Sequence, residues 1–188
     1  MISLKDLIVE NTIIPAVRNL NDFEDALKAK SPVIFLLTGS LLDLENIMLQ
    51  VKKSKKVLMI NVDLLEGIAS DKKSVEFLAT KKLCNGIIST KNNVIRSAMK
   101  ENLLAIQRVF LIDSGSLKSI KSFIEKSSLP DAFEILPAIA APYFIENIRT
   151  DVPIIAGGLI NKKEDVINLF EKGAKAISSS TKELWQIP

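Results

Sequence analysis

Two stretches decide the fold: Val152-Pro-Ile-Ile-Ala-Gly-Gly-Leu-Ile160 and Ala176-Ile-Ser-Ser-Ser-Thr181. Each is a short apolar run that stops in small residues, at Gly157-Gly158 and at Ser178-Ser179-Ser180, and each leads into a helical pattern. A β-branched run, a tight turn and a helix make the unit of a parallel sheet. Turns without bulky side chains leave backbone N–H groups free to point at an anion. The loops after the seventh and eighth strands of a (β/α)8 barrel are a frequent seat for a phosphate. Gly157, Gly158, Ser179 and Ser180 are therefore the first candidate ligand residues. The plainer alternative is a pair of tight turns that need small side chains.

Working outward, the same alternation runs through the chain. Strand patterns cover 13–17, 33–37, 56–61, 86–89, 103–109, 132–136, 154–156 and 176–178. Between them, apolar residues recur at helical spacing, as in Leu44, Ile47, Met48 and Val51, or Leu117, Ile120 and Ile124. Asn19 reads as a helix cap, and Pro142 suits the first turn of a helix. Asn161 with Glu164 approximates a capping box, as does Ser180 with Glu183 ahead of a last short helix through Trp185. Residues 1–10 read as a short helix closing the barrel bottom. Eight strand–helix units with short connections predict an α/β fold: a compact, single-domain (β/α)8 TIM-like barrel over residues 1–188. Its helices must be short, because such barrels typically need about 250 residues. The alternative, an open doubly wound sheet, lacks a Gly-x-Gly-x-x-Gly after the first strand.

Composition narrows the chemistry. The chain is 47% apolar and 25% charged, with a formal net charge of +3, which a solvated Lys/Glu surface produces without any nucleic-acid partner. One cysteine, Cys84, rules out a disulfide within the chain and suits a reducing compartment. No apolar run is long enough for a signal peptide or a membrane span, so a cytoplasmic protein with no membrane partner is expected. The absence of histidine removes Ser-His-Asp and Cys-His machinery and most zinc sites. No lysine sits mid-strand where a Schiff-base amine would be needed.

The working face of this fold lies at the C-terminal strand ends. That face receives Arg18, Thr38, Asp63 with Glu66, Thr90 with Lys91, Gln107 with Arg108, Glu134, Gly157-Gly158 and Ser178 to Ser180. Arg18 and Arg108 either neutralise an anion or pair with Asp63 and Glu134. Glu134, inside an apolar strand, needs a partner if buried. Asp63 and Glu66 are oxygen ligands of the kind Mg²⁺ takes, although carboxylates beside arginines are more often paired. No other cofactor is expected.

The whole pattern resembles the glycerol uptake operon antiterminator family. The matching segments are Ile14-Pro-Ala-Val-Arg-Asn19, Asp63-Leu-Leu-Glu-Gly67, Gly86-Ile-Ile-Ser-Thr-Lys91 and Ile106-Gln-Arg-Val-Phe-Leu-Ile-Asp-Ser114. Glu134-Ile-Leu-Pro137, Ile154-Ile-Ala-Gly-Gly-Leu-Ile160 and Ser178-Ser-Ser-Thr-Lys-Glu-Leu-Trp185 complete the set. The resemblance implies a barrel that is a regulator, not an enzyme. It would bind glycerol 3-phosphate or a similar small phosphate and act on the leader mRNA of glycerol-utilisation genes. Carried over to this chain, the site positions are Arg18, Asp63, Glu66, Lys91, Gln107, Arg108, Glu134, Gly157, Gly158, Ser179 and Ser180. The chain departs from its relatives at Asn61, where they commonly carry a histidine; Asn61 hydrogen-bonds but does not titrate.

Signals for RNA are sparse. Tyr143, Phe144 and Trp185 are the candidates for base stacking. Lysine pairs at 52–53, 55–56, 72–73, 81–82 and 162–163 each read as a solvated helix face or terminus rather than an RNA footprint. Trp185 to Pro188 read as an exposed end available to a partner, and oligomeric state is not legible. Two other functions stand beside the regulator: a barrel enzyme acting on a small phosphorylated substrate, and a phosphate-binding relative without RNA binding.

Overall fold

The computed structural model describes residues 3–8, 11–126 and 128–187. In chain order the elements are α1 (Leu4–Leu7), β1 (Thr12–Val17), α2 (Phe23–Lys28), β2 (Val33–Leu36), α3 (Leu44–Lys53) and β3 (Val57–Asn61). They continue with α4 (Lys72–Thr80), β4 (Gly86–Ser89), α5 (Asn92–Lys100), β5 (Leu104–Phe110), α6 (Ser114–Lys126) and β6 (Ala132–Leu136). The last are α7 (Ala141–Asn147), β7 (Ile154–Gly157), α8 (Lys163–Glu171) and β8 (Ala176–Ser179). Single 3-10 turns at Leu20–Asp22, Leu41–Asp43, Ala138–Ala140 and Lys182–Leu184 lead into or replace helices. The strands form a closed parallel barrel in the order β1 to β8, with β8 paired to β1.

The strands close into a barrel because both of their faces are buried, which makes their sequences near-continuous apolar runs. Alternate residues divide into two cores. Ile14, Ala16, Val33, Phe35, Met59, Ile88, Ile106 and Ile155 fill the barrel. Ile34, Leu58, Ile60, Ile87, Ala105, Phe133 and Ile177 face the helices, where Val51, Leu78, Val94 and Phe144 meet them. At the bottom, Ser3 caps α1, and Leu4 and Ile8 pack against the interior set. The helix expected over residues 1–10 is thus present over Leu4–Leu7; residues 1, 2, 9 and 10 lie outside the described residues.

Local signals held unevenly. Asn19 accepts from Asn21 N at 3.0 Å, and Pro142 sits in the first turn of α7. The two expected capping boxes are absent. The cap of α8 is Lys162, which has no side-chain acceptor, and Asn161 instead accepts from Thr181 Oγ1 at 3.3 Å. The last helix is a single 3-10 turn capped at Thr181, not at Ser180. Trp185 is buried, its Nε1 donating to Ser179 O at 2.8 Å, so it seals β8 and is not an exposed anchor for a partner. Pro188 lies outside the described residues.

Candidate functional site

The barrel interior is apolar between Thr12 at its bottom and the polar residues at its C-terminal end, where Asn61 of β3 shares the inward face of Val57 and Met59. There β5, β6 and β8 each turn one polar residue inward: Arg108, Glu134 and Ser178, on the same faces as Ile106, Ala132 and Ala176. All three are buried. Arg108 is the register partner of Glu134, and its Nε donates to Glu134 Oε2 at 2.6 Å. Ser178 Oγ donates to the other carboxylate oxygen at 2.7 Å. Glu134 therefore has the partner that its burial demands, and both oxygens are engaged. Arg108 is held by Nε alone; its Nη groups have no partner among the described residues and are not sealed from solvent. A guanidinium fixed at one edge and free at the other is a ready receptor for an oxyanion.

Above this layer is a cavity of about 360 Å³ at the C-terminal strand ends. Arg18, Arg108, Glu134, Gly158, Ser178 and Ser180 line it, with Leu64, Phe110 and Leu159 around the mouth. Arg18 is exposed and makes no hydrogen bond or ion pair among the described residues, so it does not pair with Asp63. The small-residue turns have separate jobs. A Cβ on Gly157 would lie 2.5 Å from Ser178 Oγ and 3.0 Å from Glu134 Oε1, so Gly157 makes room for the polar layer. Gly158 adopts φ +80° and turns the chain. The backbone N–H groups of Gly158, Leu159 and Ser180 donate to no group in the loops and turns among the described residues.

Other expected site residues lie elsewhere. Strand alternation puts Gln107 on the helix-facing side with Ala105, outside the mouth, whereas Ser179, although in step with Ile177, still lines the mouth cavity. Gln107 Nε2 donates to Thr90 O at 3.0 Å, and its Oε1 is buried without a partner. Ser179 Oγ donates to Ile160 O at 3.1 Å and accepts from Thr181 N at 3.1 Å, bracing the loop after β7. Asp63 is consumed by its own loops, accepting from Ser89 Oγ at 2.8 Å, Thr90 N at 2.7 Å, Thr90 Oγ1 at 2.9 Å and Ser70 Oγ. Burial raises its pKa, but those hydrogen bonds outweigh the effect and hold the carboxyl below its ordinary value. Glu66 is exposed, and its backbone bridges to Gly39 and Leu41. Lys91 Nζ donates to Ser70 O at 3.3 Å. No group of three or more His, Cys, Asp or Glu suited to a metal occurs among the described residues.

Ser178 belongs to the polar strand ends read from the sequence but not to the site positions, and it is the inward residue of β8. Period-two counting from Ala176 would have found it. The apolar mouth residues Leu64, Phe110 and Leu159 had no comparable signal.

Comparison with known proteins agrees with this architecture. The family described as glycerol-3-phosphate responsive antiterminator matches residues 13–185. The Escherichia coli K12 protein YgcP is 33% identical over 98% of this chain and 96% of its own. The crystal structure of a glycerol uptake operon antiterminator regulatory protein from Listeria monocytogenes superposes with a TM-score of 0.84 at 33% identity, covering 93% of this chain and 94% of that one. A glycerol uptake operon antiterminator-related protein from Thermotoga maritima superposes with a TM-score of 0.83 at 26% identity, covering 94% and 98%. With a family match running from the first barrel strand to the tryptophan that seals the last, the chain belongs to the glycerol-3-phosphate responsive antiterminator family.

Proposed function

We propose that this protein is a regulator that binds glycerol 3-phosphate in the barrel mouth and, in response, acts on the leader mRNA of glycerol-utilisation genes to prevent transcription termination. The observation that carries the ligand half is Arg108, fixed through Nε by buried Glu134 with its Nη groups left toward the cavity. In this reading the phosphate sits between those Nη groups, Arg18 and the N–H groups of Gly158, Leu159 and Ser180. The sensor needs no metal or other cofactor. A regulator rather than an enzyme is supported by the state of the carboxylates. Glu134 and Asp63 are saturated by internal donors, which leaves neither poised to move a proton. The leader mRNA half rests on family membership.

Calorimetric titration with glycerol 3-phosphate tests the ligand half. Binding is expected in the wild type and a loss of at least tenfold in Arg108→Lys, which keeps the charge but not the fork. Equal affinity in both would remove Arg108 from the site. Leader RNA titrated with and without the ligand tests the other half. Ligand binding with no RNA binding in either state would leave a phosphate-binding protein of other purpose.

A further inference from the structure

We infer that the N-terminal end of the barrel, across β2 to β5, is the surface that grips the phosphodiester backbone of RNA. This rests on reading the chain as an RNA-binding regulator and gives that reading a surface. The fold gathers three of the five lysine pairs at one end: Lys52-Lys53, Lys55-Lys56 and Lys81-Lys82. Lys28 and Lys30 join them from the turn before β2, and Lys100 from the end of α5. Because β2, β3, β4 and β5 are neighbours in that order, these turns lie side by side. All of these lysines except Lys56 are exposed, and no exposed one of them makes an ion pair among the described residues. Lys56 Nζ donates to Ala29 O at 2.6 Å and also to Ser31 O, lashing two of the turns together.

Helix macrodipoles favour cations at helix C-termini, and that alone would place some lysines here. It does not explain the asymmetry. In residues 28–32, 52–56, 80–85 and 100–103, Glu101 is the one carboxylate. The ends of α7 and α8 lie on the same face and are mixed, with Glu146, Arg149 and Asp151, and Glu171 beside Lys172. Backbone geometry adds a second observation. The left-handed residue closing α8 is Gly173, at φ +95°, but after α3 and α4 it is Lys55 at φ +56° and Lys82 at φ +54°. Lysine thus occupies positions where glycine is less strained.

The opposite end is mixed: Asp22, Asp25, Asp43, Asp71 and Asp113 stand at helix starts around the mouth together with Lys72, Lys73, Lys162 and Lys163, and Asp22 and Asp25 pair with Lys182. The net charge of +3 conceals the concentration of unpaired lysines at one end, which steers a polyanion there. The chemistry favours RNA over a bilayer, because none of the exposed large hydrophobic residues falls in these turns. Beside them a hollow of about 370 Å³, lined by Asn85, Met99, Asn102, Leu129 and Asp131, whose carboxylate accepts from Ala105 N at 2.8 Å, offers a place for a base splayed from the strand.

The test uses the full chain, labelled leader RNA of a glycerol-utilisation gene from the same genome, and fluorescence anisotropy across a salt series. The variant Lys53→Gln/Lys55→Gln/Lys81→Gln/Lys82→Gln should lower the log–log salt slope by about three, at roughly 0.7 per lost phosphate contact. Its glycerol 3-phosphate affinity should not change. The mouth-end variant Lys72→Gln/Lys73→Gln/Lys162→Gln/Lys163→Gln, with the same loss of charge, should keep the wild-type slope. A wild-type slope in the first variant overturns the surface and leaves RNA binding intact. No RNA binding by the wild type, with or without glycerol 3-phosphate, overturns the regulator reading and the surface together. Wild-type binding to phosphatidylserine vesicles without RNA binding would make this a membrane-facing patch and also overturn it.

Discussion

Arg108 and Glu134 are each costly in a barrel interior and are stable there as a pair. Removing one partner leaves an uncompensated buried charge. Glu134→Ala should therefore lose about 3–5 kcal/mol in urea unfolding, whereas the double variant Arg108→Met/Glu134→Leu should lose much less. Gly157→Ala forces a Cβ into Ser178 and Glu134, and should lose about 1–3 kcal/mol together with ligand affinity. Asp63 gives a pH signature. Its folded pKa is depressed, so its contribution is full above the ordinary carboxylate range and fades as pH falls through the folded value. Asp63→Asn should flatten the acid limb of a stability–pH curve; an unchanged limb would mean that another carboxylate governs it. Burial pushes the Cys84 thiol up to about 12, so thiol reagents at neutral pH should label it only as fast as the protein opens.

At the scale of elements, strands were easier to read than caps. A parallel strand buried on both faces reads as a mainly apolar run, broken here by Gln107-Arg108 in β5, Glu134 in β6 and Ser178-Ser179 in β8. Caps depend on where the backbone leaves the helix, and a shift of one or two residues changes the capping side chain. This is why Asn161 with Glu164 resembles a box, although the chain enters α8 at Lys162. The exposed start of α8 makes a direct prediction. Lys162→Asp supplies the missing acceptor and a charge that suits the helix N-terminus, and should raise stability by about 1 kcal/mol in denaturant melts. The same limit applies to the site. Alternation within β5 and β8 decides that Arg108 and Ser178 look into the barrel, whereas Gln107 faces the helices and Ser179 is tied to Ile160 O at the cavity wall. Reading the strand ends as one polar set blurred that distinction.

For the whole molecule, the mouth and the lysine end lie at opposite ends of one closed barrel. A ligand that binds only the folded chain stabilises it by about 2.7 kcal/mol at a hundredfold excess over its Kd, which a thermal shift will read. If glycerol 3-phosphate changes RNA affinity by some factor, RNA must change glycerol 3-phosphate affinity by the same factor. Unequal factors would mean that the two ligands do not share one equilibrium.

The sequence by itself determined the barrel, because eight buried strands alternating with amphipathic helices leave few other ways to close. It also determined that Glu134 would need a partner, because a carboxylate inside an apolar strand must be neutralised. Tertiary structure decided which residues meet. Arg108, Glu134 and Ser178 come from three strands far apart in the chain, and only the barrel register brings their inward faces to one level. It also decided that lysines from successive turns share one end. That is a property of parallel topology, which sends every helix C-terminus to the same side.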